Sequence, residues 1–390
     1  MAITDKEKGV WGLDQVYNKI NQGSIWEYTG DNQLMAFGYD NDGQIGLNSR
    51  GVSYSSPIQV PGTTWKYVSR AGSLSDSTNA FYVKTDGTIW ATGTNSHGQL
   101  GQNDRTTRSS PTQIPGTTWG PEVETLGRKS YAIKTDGTLW AWGYNTPSYG
   151  ELGHNNKTDY SSPTQIPGTT WSKIASYGYG TITTKTDGTL WTWGANNFGM
   201  LGLNNTTAYS SPKQVPGTTW GTSISGGSQF GAAVKTDGTL WMWGVNEYGM
   251  LGQNDKTNYS SPRQVPGTTW SKVSGMTNSV IAVKTDGTAW SWGLNDSGQL
   301  GQSNLTTCSS PVQIPGTTWN NITTSQYHVL ATKSDGTLWS WSGNSQGQLG
   351  QNAVNNNGLS SPVQIPGTGW NTGDREFGTT WLGSRATKTL

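Results

Sequence analysis

This chain has few charged residues and a single cysteine. Only 13% of its 390 residues are Asp, Glu, Lys or Arg, and the formal net charge is +1. A chain without a basic or acidic excess lacks the electrostatic footprint of a nucleic-acid binder or of a protein held on an anionic membrane. Cys308 is the only cysteine. An intrachain disulfide is therefore excluded, and oxidising and reducing compartments both remain open.

Long apolar runs are also missing. No stretch reaches the length of a membrane span, and residues 1–15 lack the apolar core of a secretory signal peptide. We therefore predict synthesis in a cytoplasm and no membrane insertion. This expectation is compatible with a later extracellular existence in a particle released by lysis.

Glycine and tryptophan are abundant instead, at 54 and 21 residues, which is unusual for a protein with so few charges. Long helices built from Ala, Glu, Lys and Leu are not expected from this composition. Many short strands joined by Gly- and Pro-containing turns fit it better. The composition therefore predicts an all-β protein.

One phrase recurs with a period of about fifty residues, and Lys235–Gly244 (KTDGTLWMWG) is a clear copy. Its Asp-Gly pair between two β-prone runs predicts a tight hairpin turn. A Gly-rich loop, a Ser-Ser-Pro run and a Pro-Gly-Thr-Thr-Trp turn follow in each period, and the last turn is the variant Pro-Gly-Thr-Gly-Trp that ends at Trp370. The turn aspartates are Asp31, Asp86, Asp136, Asp187, Asp237, Asp286 and Asp335. Each period thus reads as four strands, here called A to D from the Trp that ends the Pro-Gly turn.

Seven such periods predict a seven-bladed β-propeller of four-stranded antiparallel blades over residues 29–390. The N-terminal part supplies strands C and D (34–38 and 57–60) without A and B. The C-terminal part supplies A, opened by Trp370, and B, at 384–389, without C and D. We therefore expect one blade to be closed by strands from both termini, which removes exposed sheet edges.

Residues 1–28 lie outside the repeat and are predicted to form a short helical arm. Leu13, Val16, Tyr17 and Ile20 have the spacing of one helix face, with Trp11 just before them. The arm either packs against the propeller as a plug or docks the protein onto a larger assembly or a second copy. The sequence leaves these alternatives open.

The repeated residues are predicted to be structural. The strand C tryptophans are expected to fill the space between neighbouring sheets, and the glycines to permit tight loops. Glu151 and Glu247 are isolated carboxylates, and His97 and His154 in adjacent blades suggest a zinc site that no third ligand completes. We therefore predict no enzyme activity, no metal and no cofactor.

Binding residues are expected where the copies differ. The B–C and D–A turns hardly change and share one face of the disc, whereas the A–B and C–D loops vary and share the other. Blades 3 to 5 concentrate aromatic side chains there. Three tyrosines ahead of Ser-Ser-Pro are equivalent and favour packing: Tyr160, Tyr209 and Tyr259. The predicted partner-binding residues are Tyr144, Tyr149, Tyr177, Tyr179, Phe230 and Tyr248.

The repeat resembles that of the regulator of chromosome condensation family, as in DGTLWAWGYN from Asp136 and DGTAWSWGLNDSGQLG from Asp286. The resemblance covers residues 29–390 and implies a seven-bladed propeller. Members of the family exchange nucleotide on a small GTPase and bind nucleosomes, sense ultraviolet light, or inhibit β-lactamase. The blade insertion, the basic tail and the Gly-Trp-Arg-His-Thr motif that serve the first two activities are missing here, so neither is carried over.

The near-identical repeats and the leader at 9–28 look most like those of bacterial and marine bacteriophage proteins. This resemblance implies a virion surface component, such as a tail or capsid appendage. It would dock through its N-terminal arm and present the loop face to a host receptor, either a protein or a glycan. The alternative is a cytoplasmic bacterial adaptor or inhibitor propeller that is not part of a virion.

Overall fold

The computed structural model describes residues 33–71, 78–367, 369–370, 377–379 and 383–388. The regular structure in these ranges consists of β-strands in seven sheets. Each has four antiparallel strands, and one sheet carries a fifth strand that pairs in parallel. Seven buried apolar clusters join neighbouring sheets, one at each junction, including the junction between the last blade and the first. The sheets therefore form a closed seven-bladed propeller, as predicted.

The strands are numbered in chain order. Blade 1 begins with β1 (Gln33–Gly38) and β2 (Tyr54–Gln59). Blade 2 contains β3 (Trp65–Val68), then β5 (Asn79–Lys84), β6 (Ile89–Gly93) and β7 (Arg108–Gln113), with the short β4 (Arg70–Ala71) after β3. Blade 3 contains β8 (Trp119–Leu126), β9 (Lys129–Lys134), β10 (Leu139–Gly143) and β11 (Tyr160–Ile166). β4 pairs in parallel with β8 and thereby links blades 2 and 3.

The next four blades repeat this plan. Blade 4 contains β12 (Trp171–Tyr177), β13 (Gly180–Lys185), β14 (Leu190–Gly194) and β15 (Tyr209–Val215). Blade 5 contains β16 (Trp220–Gly226), β17 (Phe230–Lys235), β18 (Leu240–Gly244) and β19 (Tyr259–Gln264). Blade 6 contains β20 (Trp270–Gly275), β21 (Ser279–Lys284), β22 (Ala289–Gly293) and β23 (Cys308–Gln313). Blade 7 contains β24 (Trp319–Thr324), β25 (His328–Lys333), β26 (Leu338–Asn344) and β27 (Asn355–Gln364).

Blade 1 is completed by β28 (Phe377–Thr379) and β29 (Gly383–Lys388). β1 pairs along its whole length with β29, from Gln33 opposite Lys388 to Gly38 opposite Gly383. The prediction of a blade shared by both ends of the chain is confirmed. Phe377–Thr379 is the described part of the innermost strand. Residues 371–376 lie outside the described residues, so the predicted opening of this strand at Trp370 stays a prediction.

The B–C turn is held by its own side chains, as blade 5 shows. Asp237 Oδ1 accepts hydrogen bonds from the backbone and the hydroxyl of Thr239, at 2.9 and 2.6 Å. The Thr239 hydroxyl in turn accepts a hydrogen bond from Trp241 Nε1 at 2.9 Å. The Lys235 amine lies 4.8 and 4.6 Å from the rings of Trp220 and Trp241. The repeated phrase thus builds one turn and one cation–π cluster in each of blades 2 to 7.

The two tryptophans of strand C have different environments. The first, such as Trp241, is half-buried at the turn, whereas the second, such as Trp243, is fully buried between blades. Its indole N–H donates to the carbonyl of Met200 in the preceding blade, at 2.8 Å. Equivalent bonds are made by Trp142, Trp193, Trp292 and Trp341. The second tryptophan therefore fills the blade junction as predicted, and it also fixes the neighbouring loop.

The helical arm and its residues Trp11, Leu13, Val16, Tyr17 and Ile20 lie outside the described residues. The division into an arm at 1–28 and a propeller at 29–390 therefore stays a prediction. A search of the described part for a helix long and apolar enough to cross a membrane found none.

Candidate binding site on the loop face

The A–B and C–D loops lie together on one side of the disc, here called the loop face. Tyr149 in a C–D loop contacts Tyr179 in the A–B loop of the next blade, and Asn197 in that blade's C–D loop. The opposite side carries the turns. There, the Trp119 N–H that follows a Pro-Gly turn donates to Gly87 of a B–C turn. The loops that vary in sequence are therefore neighbours in space.

One position of the C–D loop carries a ring in four consecutive blades. The residue just before the first loop glycine is His97, Tyr149, Phe198 and Tyr248 in blades 2 to 5. In the other blades it is Ser297, Gln346 or Asp42. With Tyr144 and Tyr179 beside them, these rings form what we call the aromatic arc: His97, Tyr144, Tyr149, Tyr179, Phe198 and Tyr248.

The centre of the aromatic arc is formed by Tyr149, Tyr179 and Phe198. The Tyr149 and Tyr179 ring centroids lie 6.2 Å apart, with their planes tilted by 45°. The Asn197 side-chain amide donates to the Tyr149 hydroxyl at 3.1 Å. Tyr179 is 50% exposed and Phe198 is 48% exposed. Large rings exposed to this degree on adjoining loops offer flat apolar area together with hydroxyl and amide groups.

The two ends of the aromatic arc are less exposed. His97 lies 4.8 Å from Tyr144, and the Arg128 guanidinium lies 6.0 Å from the same tyrosine ring. Tyr248 is half-buried and packs on the apolar cluster between blades 5 and 6. The structure therefore keeps Tyr144, Tyr149, Tyr179 and Tyr248 on the loop face, where they were predicted. It adds Phe198 and His97 to them.

Tyr177 and Phe230 were wrongly assigned to the binding surface, because both are fully buried. The Tyr177 hydroxyl donates to the Met200 carbonyl at 2.6 Å, and burial raises the pKa of Tyr177. A Cβ at Gly180 would lie 2.5 Å from the Tyr177 ring, and a Cβ at Gly227 would lie 2.2 Å from the Phe230 ring. In each of these two A–B loops, a large ring and a glycine lie three residues apart. Tyr177 precedes Gly180 in blade 4, whereas Gly227 precedes Phe230 in blade 5. Both rings fill core space and cannot contact a partner.

The three tyrosines predicted to pack ahead of Ser-Ser-Pro are half-buried and pack against the apolar clusters, as expected: Tyr160, Tyr209 and Tyr259. Tyr54 does the same at the equivalent position of blade 1. The signal that separates them from the aromatic arc is their place at the start of the outermost strand of their blade. Phe198 could have been selected from the sequence, because it aligns with Tyr149 and Tyr248 directly before a loop glycine.

A buried ion pair beneath the aromatic arc was not predicted. Lys129 Nζ lies 2.8 Å from Glu151 Oε2, and each side chain is 4% exposed. Lys129 Nζ also donates to the Gly178 carbonyl at 3.2 Å, next to Tyr179. The Glu151 carboxylate is therefore not a free acid on the surface. Glu247 is exposed, by contrast, and lies beside Tyr248 in sequence.

His97 and His154 each have a partner within the fold. A search of the described residues for three or more clustered His, Cys, Asp or Glu side chains found no such group. His97 packs on Tyr144, whereas His154 Nε2 lies 3.0 Å from the Thr164 carbonyl. Burial lowers the pKa of His154. Each histidine is thus engaged within its own part of the fold.

Two of the cavities among the described residues adjoin these surfaces. The larger, of 730 Å³, opens among the turns of blades 4 to 6 and is lined mainly by repeated residues such as Lys185, Lys235 and Trp220. The smaller, of 160 Å³, lies on the loop face between blades 6 and 7, beside Asn278 and Tyr327. Neither contains a residue of the aromatic arc.

The fold is similar to that of several solved propellers. The chain matches Prp20p from Saccharomyces cerevisiae with 16% identity, covering 92% of each chain, at a TM-score of 0.79. It matches human WBSCR16 with 18% identity, covering 92% of this chain and 99% of that one, at 0.78. No match was found among curated protein sequences. A family model described as the RCC1-like domain matches residues 24–320, and the chain therefore belongs to the family of RCC1-like domains.

Proposed function

We propose that this propeller is a non-catalytic binding protein that captures a macromolecular partner on its aromatic arc. The observation that carries this proposal is the exposure of Tyr179 and Phe198, 50% and 48%, on neighbouring loops of an otherwise rigid scaffold. Rings of this kind are enriched among the residues that dominate binding energy at interfaces. The loops that hold them differ from blade to blade, whereas the turns on the opposite face repeat.

Relatives of the same fold support a protein partner. The structure of Prp20p is described together with its binding to Gsp1p and histones. A second structure shows yeast RCC1 (Prp20) bound to Kap60, and this chain matches it with 16% identity, covering 92% of this chain and 89% of that one, at a TM-score of 0.80. A glycan partner is the competing proposal, since tyrosine rings with nearby amides also suit sugar rings. The net charge of +1 gives no support to a nucleic-acid partner.

The finer proposal places this binding on a bacteriophage virion. Its support is the likeness of the repeats and of the 9–28 leader to phage structural proteins. The arm at 1–28 would then attach the propeller to a tail or capsid, and the aromatic arc would face the host. A bacterial adaptor or inhibitor propeller is the alternative. Deletion of 1–28 separates the two, because a virion component would no longer be incorporated into particles while an adaptor would keep its partner.

The binding proposal is tested with Tyr179→Ala, Phe198→Ala and the double variant. The intact protein and each variant are immobilised and exposed to solubilised host surface proteins and, separately, to a glycan array. We expect the double variant to lose at least about tenfold in affinity for the captured partner, with an unchanged melting temperature. Tyr327→Ala is the matched control, since Tyr327 is 40% exposed at the equivalent A–B position of blade 7. Equal binding by the double variant and the control would refute the proposal.

A further inference from the structure

We propose that the buried Lys129–Glu151 pair is the positioning element of the aromatic arc and holds Tyr149 and Tyr179 in their tilted arrangement. This inference rests on the proposed binding function. It concerns two side chains that are themselves out of reach of a partner, at 4% exposure each. They act through the two loops that carry the tyrosines.

The lysine fixes the loop of Tyr179. Lys129 begins β9 of blade 3, and its amine donates both to Glu151 Oε2 at 2.8 Å and to the Gly178 carbonyl of blade 4 at 3.2 Å. Gly178 directly precedes Tyr179 in the A–B loop. The bond therefore crosses the blade junction and ends one residue from the exposed ring.

The glutamate fixes the loop of Tyr149. Glu151 Oε1 accepts a hydrogen bond from the Thr146 hydroxyl, and the Thr146 carbonyl accepts the N–H groups of Tyr149 and Gly150 at 3.1 and 3.0 Å. The Glu151 carbonyl accepts bonds from Tyr131 and Trp193 at 2.6 and 2.7 Å, which anchor its backbone in the core. One carboxylate thus links the core to the turn that presents Tyr149.

The fold itself does not require this pair. At the same two positions, blade 4 has Gly180 and Met200, blade 5 has Phe230 and Met250, and blade 6 has Ser279 and Gln299. Those blades reach the same strand arrangement without an ion pair. A buried ion pair is also weak evidence for a stabilising role, because desolvation offsets much of the attraction.

The location of the pair points to positioning instead. Blade 3 is the blade with the Thr146-Pro147-Ser148 insert, which makes its C–D loop longer than those of its neighbours. The carboxylate binds the first residue of that insert. The ion pair therefore occurs where a longer loop must be held and where that loop contributes a ring to the aromatic arc.

The test uses the full chain labelled with 3-fluorotyrosine and ¹⁹F NMR, with Tyr149, Tyr179 and Tyr327 assigned by Tyr→Phe variants. The principal variant is Lys129→Met with Glu151→Met, because methionine is the residue of blades 4 and 5 at the Glu151 position. We expect the Tyr149 and Tyr179 resonances to move and broaden while Tyr327 stays unchanged. Unchanged Tyr149 and Tyr179 resonances would overturn the positioning role.

A second variant keeps the test decisive if the double variant fails to fold. Thr146→Val removes the hydroxyl between Glu151 and the Tyr149 turn and leaves the ion pair in place. We expect the Tyr149 resonance to move more than that of Tyr179, and an unmoved Tyr149 resonance would overturn the proposed link. These readouts need no partner. A protein with the expected spectra that captures nothing would therefore refute the binding function and not the positioning.

Discussion

His328 Nε2 lies 2.8 Å from the Ser384 hydroxyl, and this contact joins blade 7 to the C-terminal strand that closes the ring. Ser384 donates its own hydrogen to the Gln348 carbonyl at 2.8 Å. The hydroxyl must therefore accept from His328, which places a hydrogen on Nε2. The Ser325 hydroxyl lies 2.8 Å from Nδ1. Both ring nitrogens of His328 thus have a hydroxyl partner at the seam.

At this seam, Ser384 makes the hydrogen bond that a tryptophan indole makes at other blade junctions. At five other junctions an indole N–H donates to the equivalent loop carbonyl, as Trp142 does to Gln99. Blade 1 has Phe37 in the tryptophan position, and a phenyl ring has no hydrogen to donate. We expect Ser384→Ala to lower the free energy of unfolding by about 1–3 kcal/mol, since it deprives both His328 and Gln348 of a buried partner. Urea denaturation of the full chain measures the change.

Ser130→Ala is the matched control for that prediction. Ser130 donates to the Gln99 carbonyl at 2.8 Å, but this carbonyl also receives the Trp142 indole. Removal of the hydroxyl there leaves the carbonyl satisfied, so the loss is expected to be smaller, about 1 kcal/mol or less. Equal losses in the two variants would contradict the special role of the seam.

A strained turn residue gives a second prediction. Thr269 has a φ of 67°, a left-handed conformation that is costly for a β-branched residue, and five other Pro-Gly-Thr-Thr turns share it. The last copy has Gly369 at that position, with a φ of 76°. We expect Thr269→Gly to be neutral or to raise the free energy of unfolding by up to about 1 kcal/mol.

Thr268→Gly is the control for Thr269→Gly. Thermal and urea unfolding of both variants provide the measurement. Thr268 is exposed like its neighbour, but it is outside the set of residues with positive φ. A glycine there only adds freedom to the unfolded chain and is expected to destabilise by about 0.5–1 kcal/mol. If Thr269→Gly destabilises as much as Thr268→Gly, the turn carries no relievable strain.

A pH dependence follows from His154. Burial lowers the pKa of this side chain below its ordinary value of 6.5, so the neutral imidazole is favoured in the folded state. The unfolded chain then binds more protons just below pH 6.5, and stability falls as the pH drops through that range. His154→Gln should remove this part of the pH dependence.

Glutamine suits that position because it is the residue of blade 2 there. Gln102 donates to the Thr112 carbonyl at 3.2 Å, as His154 does to Thr164 at 3.0 Å. The variant is therefore expected to keep its hydrogen bond and to fold normally. Melting temperatures between pH 5 and pH 8 provide the measurement, and identical pH profiles for the two proteins would exclude His154 as the source.

The repeat made most of the fold predictable. A motif such as Lys235–Gly244 specifies a turn, a strand and a junction side chain in every copy, so blade number and closure could be derived from spacing. The sequence after Trp370 departs from the repeat, so spacing gives no bounds for the innermost strand of blade 1 there. The arm at 1–28 has no such internal comparison.

The aromatic arc was predictable only in part. Tyr177 and Phe230 lie in loop segments that vary between blades, as a binding surface would. They are buried because a glycine three residues away has no side chain and leaves room for the ring in the core. The pairing of Tyr177 with Gly180, and of Gly227 with Phe230, could have predicted from the sequence that both rings are buried.

The Lys129–Glu151 contact could not be predicted from the sequence. The two residues lie 22 positions apart, and the neighbouring loop of blade 4 completes their environment.

Hydrogen–deuterium exchange on the propeller with and without its captured partner tests the central claim most directly. If the loop face binds, protection appears in peptides that cover 144–151, 177–180 and 196–200, which hold the centre of the aromatic arc. The Asp-Gly and Pro-Gly-Thr-Thr turns on the opposite face should exchange at unchanged rates. Protection confined to those turns would contradict the account.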